Sequence, residues 1–248
     1  MMTATPETAG PSRKRGGNLF GALLDFVWPP KCLICDRVGS TLCEECIAEW
    51  PRAGHPMCAV CGDEIGPDGC LGCSWGIGPL TASGYAVKYT ETVRKVVHAL
   101  KYDGRTDLAA PMALEMAYVI RTRPAFQEFD AFVPVALHPK RFNERGYNQA
   151  DLLANAIAEE TGYKVLRALQ RTRYTRPQVG LGRKERAENV RGAFTASDAC
   201  RGLRVVLIDD VCTTWATGRD AARALIAVGA ASVSFLTFSR DLPVWSEA

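Results

Sequence analysis

Apolar and polar positions change period several times along the chain, and each change predicts an element. From Ala82 to Tyr89 (ASGYAVKY) they alternate, as in a strand. In TETVRKVVHALKY (90–102), Val93, Val96, Val97 and Leu100 recur at helical spacing, and Thr90 suits an N-cap. DLAAPMALEMAYVIRTR (107–123) reads as a second helix, with Pro111 near its first turn. DAFVPVAL (130–137) is short and apolar, a buried strand. ADLLANAIAEETG (150–162) is a helix that stops at Gly162, and YKVLRALQR (163–171) is the next strand. LRVVLIDDV (203–211), ATGRDAARALIAVGA (216–230) and ASVSFLTFSR (231–240) follow as strand, helix and strand.

Strand–helix alternation predicts an α/β fold: a parallel sheet flanked by helices. Such sheets bind ligands beyond the carboxyl ends of their strands. The chemistry-bearing residues stand there, in His138–Gln149 after one strand and Asp209–Thr217 after another.

The first eighty residues follow a different plan. MMTATPETAGPSRKRGG (1–17) has the Pro, Gly, Ser and Thr of a disordered tail and lacks the apolar segment of a secretory signal. NLFGALLDFVWPP (18–30) predicts an amphipathic helix stopped by two prolines. No apolar run approaches the roughly 18 residues of a membrane span. The expected organisation is a tail (1–17), a small cysteine-rich unit with its helix (18–77) and a larger α/β domain (78–248), in the cytoplasm.

In a reducing compartment cysteines are not expected as disulfides. Eight of the ten fall into four C-x-x-C pairs: Cys32/Cys35, Cys43/Cys46, Cys58/Cys61 and Cys70/Cys73. A C-x-x-C turn aims two thiolates at one edge of a metal, and two turns close a tetrahedral Cys₄ site. Four pairs imply two structural Zn²⁺ ions, which supply folding energy that so short a segment cannot obtain from a core. Neighbouring pairs sharing an ion give the shortest loops; crossed pairing is the alternative. His55 is not needed as a ligand, and Cys200 and Cys212 read as small buried residues.

Hydrophobic content of 47% and a net charge of +3 describe an ordinary globular chain, so the distribution of charge is more telling. Between Lys164 and Arg191 stand nine Lys/Arg and two acids, a segment suited to phosphates or nucleic acid. The cysteine block is acidic instead, with Arg37 and Arg52 against Asp36, Glu44, Glu45, Glu49, Asp63, Glu64 and Asp68, which favours a protein partner there.

VVLIDDVCTTWATG (205–218) carries the sharpest chemistry. Thr213, Thr214 and Thr217 supply hydroxyls at a helix N-terminus, a ready anion site. Asp209 and Asp210 would repel a phosphate but suit sugar hydroxyls beside it. Two acids before a phosphate turn read as a grip for ribose 5-phosphate.

This stretch resembles the phosphoribosyl pyrophosphate (PRPP) motif of type I phosphoribosyltransferases. Together with the cysteine block, LKYDGR (100–105), VPVALHPKRFNERGYNQA (133–150) and PQVGLGRKERAENVRGAF (177–194), it is similar to the ComF competence-protein family, from about residue 18 to 240. The resemblance implies a phosphoribosyltransferase-like domain behind a double zinc ribbon. It assigns Asp209 and Asp210 to the ribose hydroxyls as the catalytic pair, and Thr213, Thr214, Trp215, Ala216 and Thr217 to the 5′-phosphate. Lys140, Arg141 and Arg145 would meet pyrophosphate after the turn Val135–Lys140, and Arg183 and Arg186 would lie in a flexible hood. Mg²⁺ would arrive with the pyrophosphate. The family's association is with handling single-stranded DNA in natural transformation. Tyr147 and Tyr174 would stack on bases, and a competence-machinery protein would meet the ribbon.

Trp215 departs from the family's Gly. Two expectations follow: a tolerated substitution that leaves an enzyme or PRPP binder, or a blocked cup in an inactive nucleic-acid- or protein-binding module. Either leaves the fold intact if the turn is a surface turn.

Overall fold

The computed structural model describes residues 29–52, 54, 56–66, 69–174, 188 and 190–241. The tail, most of the predicted 18–30 helix, His55, and most of the hood, with Arg183 and Arg186, lie outside the described residues.

Five parallel strands form the main sheet in the order β1 (Ser83–Lys88), β7 (Ser232–Arg240), β6 (Arg204–Cys212), β2 (Ala131–Pro134), β3 (Lys164–Val165). The continuous apolar runs of β6 and β7 are explained by burial on both faces. Alternate residues sort into two cores. Val206, Ile208, Leu236 and Phe238 face one core with α3 (Glu91–Tyr102), α4 (Ala109–Thr122) and α6 (Gln149–Thr161). Val205, Leu207, Val233 and Phe235 face the other with α7 (Ala216–Ala227). Thr90 caps α3, its Oγ1 accepting from Val93 N at 3.5 Å, and Gly162 ends α6 at φ 81°.

β2 is short, and this opens the site. It pairs with β6 only as far as Pro134 opposite Ile208, then turns away, whereas β7 stays paired with β6 to Cys212. Asp209 and Asp210 therefore flank a gap at the strands' carboxyl ends.

The cysteine-rich unit, with its short helices α1 (Glu44–Ala48) and α2 (Leu71–Trp75), covers the β1 edge. Lys88 N donates to Pro51 O at 2.7 Å and Ser83 N to Val60 O at 2.7 Å. Such cover removes an exposed template for strand pairing. The first half of the unit joins the first core, where Trp50 meets Phe238 edge-on at 5.2 Å, and Arg52 forks onto Glu115 of α4 at 2.8 and 2.6 Å. The second half joins the other core, and Arg123 at the end of α4 donates to Cys58 O at 2.9 Å.

Two differences from the sequence reading concern hydrogen-bonding partners. The single strand expected over 163–171 divides: β3 joins the main sheet, while β4 (Leu169–Arg171) forms an antiparallel hairpin with β5 (Phe194–Ala196). Partners supplied from elsewhere in the chain set that division. Within 138–149 a short helix α5 (Pro139–Arg145) forms, capped by His138, whose Nδ1 accepts from Lys140 N at 3.2 Å, and stopped by Gly146 at φ 84°.

Candidate functional site

The two acids at the end of β6 are buried, with Asp209 9% and Asp210 3% exposed. Asp210 forms an ion pair with Lys101 Nζ, from the last turn of α3, and accepts from Gln149 Nε2 at 3.4 Å. Burial alone would raise its pKa, but the Lys101 charge, with the hydrogen bonds from Asp209, Lys101 and Gln149, holds it below the usual carboxylate value. Burial works against the Lys101 charge as well, and Asp210 outweighs it. Asp209 forms no ion pair among the described residues and feels Lys101 only as a weaker influence. Burial and then the Asp210 charge push its pKa well above the ordinary value, and its Oδ1 accepts from Asp210 N at 2.9 Å. The two acids thus stand in unlike environments, Asp210 against a cation and Asp209 buried beside that carboxylate, and both present oxygens to neighbouring hydroxyls.

The Thr-rich turn follows directly and opens α7. Thr214 Oγ1 is buried without a hydrogen-bond partner among the described residues, and an orphan hydroxyl of this kind suits an acceptor from a ligand. Trp215 is the N-cap and stands in the left-handed region at φ 56°, ψ 3°. A Gly occupies that conformation without strain, whereas a bulky residue pays for it. The tryptophan is nevertheless 2% exposed. Its Nε1 donates to Ser83 Oγ at 2.9 Å, and the Arg240 guanidinium lies 3.8 Å from its ring centroid. At Gly72 of α2, a Cβ would come within 2.8 Å of the ring tip. The indole therefore points from the turn into the interface with the cysteine-rich unit. The expectation of a surface turn is corrected at this residue: αL geometry throws its Cβ towards β1 and the unit packed on it.

Across the gap, α5 brings Lys140, Arg141 and Arg145 together. Asn148 pins the preceding turn, donating to Val135 O at 3.0 Å while its Oδ1 accepts from Ala150 N at 3.1 Å. Arg145 bonds to Gln149 Oε1 and lies 5.1 Å from the Tyr102 ring centroid. Lys140 Nζ lies 4.9 Å and Arg141 5.9 Å from the Tyr174 ring centroid. Arg141, Arg145, Tyr102 and Tyr174, with Lys101 and Tyr147, border a cleft of about 390 Å³. Tyr102 and Tyr174 are 61% and 45% exposed. Tyr147 is half-buried and tethered, its hydroxyl donating to Leu100 O at 2.5 Å. Arg171 of β4 is a neighbour that sequence reading did not select: burial lowers its pKa, and it senses Arg141, Asp209 and Asp220. It borders a second cleft of about 550 Å³ beside His138 and Phe142. His98 sits on the exposed face of α3, with Nδ1 3.7 Å from Asp103.

The eight paired cysteines gather by neighbours. Cys32, Cys35, Cys43 and Cys46 form one group and Cys58, Cys61, Cys70 and Cys73 the other, the sulfurs of each lying within 4.8 Å of one another. All are free thiols. A tetrahedral Zn–S₄ centre with bonds of about 2.3 Å has sulfur–sulfur edges of about 3.8 Å, against Cys35–Cys43 at 3.6 Å, Cys58–Cys73 at 3.4 Å and Cys61–Cys70 at 2.8 Å. The two all-thiol sets fit structural zinc. In each, the residue after the second cysteine of the leading pair takes positive φ, Asp36 at 58° and Gly62 at 78°. At Gly62 a Cβ would meet Ser83 O at 2.6 Å, so the knuckle presses on β1. Cys200 and Cys212 are buried as expected.

Residues 23–74 match the double zinc ribbon domain. DNA utilization protein YhgH of Salmonella typhimurium is 34% identical over 158 residues, covering 62% of this chain and 70% of that protein. The chain belongs to the ComF/YhgH family. Competence protein F of Haemophilus influenzae is 26% identical over 212 residues, covering 80% of this chain and 88% of that protein. Among solved structures, glutamine phosphoribosylpyrophosphate amidotransferase from B. subtilis, complexed with ADP and GMP, aligns over 56% of this chain and 30% of its own at 21% identity and a TM-score of 0.38.

The ComF-type segments supply side chains that sequence reading left without roles. LKYDGR contributes Lys101, the counter-ion of Asp210, and Tyr102, the partner of Arg145. RGYNQ contributes Gln149, between Arg145 and Asp210. Position in those segments was the available signal. Asp63 and Arg240 had no local signal at all. They form a buried ion pair 177 residues apart, at 2.9 and 3.2 Å.

Proposed function

We propose that this ComF-family protein binds a phosphoribosyl ligand of the PRPP type in the gap between β2 and β6, and that it serves the handling of single-stranded DNA in the cytoplasm. The observation that carries the first part is the buried Asp209/Asp210 pair, with Asp210 paired to Lys101, directly before a turn with an orphan Thr214 hydroxyl. Under this reading the acids receive the ribose hydroxyls. Thr213, Thr214, Ala216 and Thr217 take the 5′-phosphate with backbone and hydroxyl donors. Lys140, Arg141 and Arg145 balance the pyrophosphate charge. Asp210 is committed to Lys101, which leaves the pair poorly suited to a divalent cation. Mg²⁺ therefore enters only as a companion of the pyrophosphate, keeping its waters. Trp215 is compatible with an open cup, because its ring contacts Ser83, Arg240 and the ribbon.

The test is calorimetric titration of the full zinc-loaded chain with PRPP and Mg²⁺. A saturable isotherm supports the reading, and its absence, with no shift in melting temperature, overturns it.

A second reading, a nucleic-acid-binding module without transferase chemistry, draws on the cleft where exposed Tyr102 and Tyr174 stand among Lys140, Arg141 and Arg145. Aromatic faces among cations bind single strands by stacking and phosphate contact. The YhgH and competence-protein names of the relatives agree with a DNA role. Binding of a single-stranded oligonucleotide should weaken steeply with salt, and salt-independent affinity would remove this cleft from consideration. The exposed acids Asp36, Glu44 and Glu49 suit a basic protein surface at the ribbon, such as a component of the competence machinery. Asp63, counted among them from sequence, is buried against Arg240. No helix among the described residues is long and apolar enough to cross a membrane. We retain 18–77 and 78–248 as the two domains, although their cores are continuous through the ribbon cysteines.

A further inference from the structure

Two links join the second Cys₄ group to the Thr-rich turn, and neither belongs to the ribose or pyrophosphate contacts. The first is the indole of Trp215. Its ring tip abuts Gly72, which lies between the ligands Cys70 and Cys73. A Cβ at Gly72 would fall 2.8 Å from the ring, 2.6 Å from Cys61 Sγ and 2.7 Å from an Asp63 carboxylate oxygen. The space between metal loop and turn is therefore closed to anything larger than hydrogen. The second link is Arg240, 1% exposed at the end of β7. Its guanidinium holds Asp63 by two hydrogen bonds, at 2.9 and 3.2 Å, and also donates to Cys212 O at 3.3 Å and to Thr213 O. It also covers the Trp215 ring. One cation thus clamps the ribbon, the turn backbone and the tryptophan together.

We propose that the second Cys₄ group positions the turn Cys212–Thr217, with Asp63 and Gly72 as positioning residues, so that metal occupancy there controls the turn's affinity for a phosphoribosyl ligand. The inference rests on reading the turn as the phosphate site. A closed Cys₄ site fixes its loops only while metal neutralises and gathers the thiolates. When the loop around Gly72 loosens, Trp215 loses the wall that holds it in a left-handed conformation it does not favour. Arg240 loses the carboxylate that aims it. The turn then relaxes and its donors no longer converge. The first Cys₄ group packs into the opposite core, and among the described residues it makes no contact with Trp215 or Arg240 like that of Gly72 or Asp63.

The experiment compares the zinc-loaded full chain with Cys73→Ser, which breaks the second group, and Cys35→Ser, which breaks the first. Hydrogen exchange is followed over 209–219, with 204–208 and 233–236 as internal controls, and PRPP affinity is measured on the same samples. Cys73→Ser is expected to speed exchange of the turn about tenfold while the control strands stay protected, and to weaken PRPP binding about tenfold. Cys35→Ser should leave both near wild type. Gly72→Ala, which keeps all eight ligands, should also speed turn exchange, and it decides the matter if Cys73→Ser does not fold. Unchanged turn exchange in the folded variants, or an equal response to Cys35→Ser, overturns the coupling. If no protein binds PRPP yet exchange responds only at the second group, the coupling stands and the phosphoribosyl reading falls. If wild type and Cys73→Ser bind PRPP equally, the coupling falls and that reading stands.

Discussion

Replacing Trp215 by Gly restores the residue that the turn's backbone favours, yet it should destabilise the protein. The gain is relief of a left-handed non-Gly residue, about 1–2 kcal/mol, offset in part by the extra unfolded-state entropy of Gly, about 0.5–1 kcal/mol. The loss is a buried ring. Truncating a core Trp costs roughly 3–5 kcal/mol including the cavity. That range takes in most of what the Ser83 hydrogen bond and the Arg240 contact contribute. The balance is a net loss of about 3 kcal/mol, or a fall in melting temperature of roughly 6–12 °C for a chain of this size. Trp215→Phe keeps most of the ring and should cost about 1–2 kcal/mol, mainly by leaving Ser83 Oγ unpaired. Calorimetric melts of the three zinc-loaded proteins, with PRPP titrated into each, provide the comparison. Trp215→Gly as stable as wild type would refute the packing argument. PRPP binding gained only in Trp215→Gly would instead show the indole to be an obstruction.

The acid pair predicts opposite signs for two similar substitutions. Asp209→Asn should raise stability at pH 7, because a raised pKa means that the native state resists ionising this group, and the advantage should vanish below about pH 4 where the unfolded carboxyl is protonated too. Asp210→Asn should cost about 2 kcal/mol at pH 7 by leaving Lys101 without its partner, the low end for a buried pair because the Lys101 side chain is 22% exposed. That cost should shrink as pH falls below the ordinary carboxylate value, and thermal melts across pH check both. Elemental analysis should find two zinc ions per chain, and a single zinc would contradict the neighbour pairing of cysteines. Tyr102→Ala and Tyr174→Ala should each weaken a single-stranded oligonucleotide by about 1–3 kcal/mol if the rings stack on bases; unaltered affinity in fluorescence anisotropy would exclude them as platforms.

Local pattern by itself determined the double Cys₄ arrangement, the parallel α/β class and the placing of Asp209, Asp210 and the Thr-rich turn at a strand end. Each rests on residues a few positions apart, so spacing alone carries the geometry. The extra hairpin β4–β5, the split after β3 and the role of Lys101 were not legible, because their partners come from distant parts of the chain. Trp215 shows the limit most clearly. Sequence named Trp215 as a residue in place of Gly, and its backbone does take the left-handed conformation that favours Gly, at φ 56°. It did not give the direction of the side chain. Only the packing of Ser83, Arg240 and Gly72 around the indole decided that. A backbone requirement is local, whereas the space a Cβ points into is made by whatever the rest of the fold brings there.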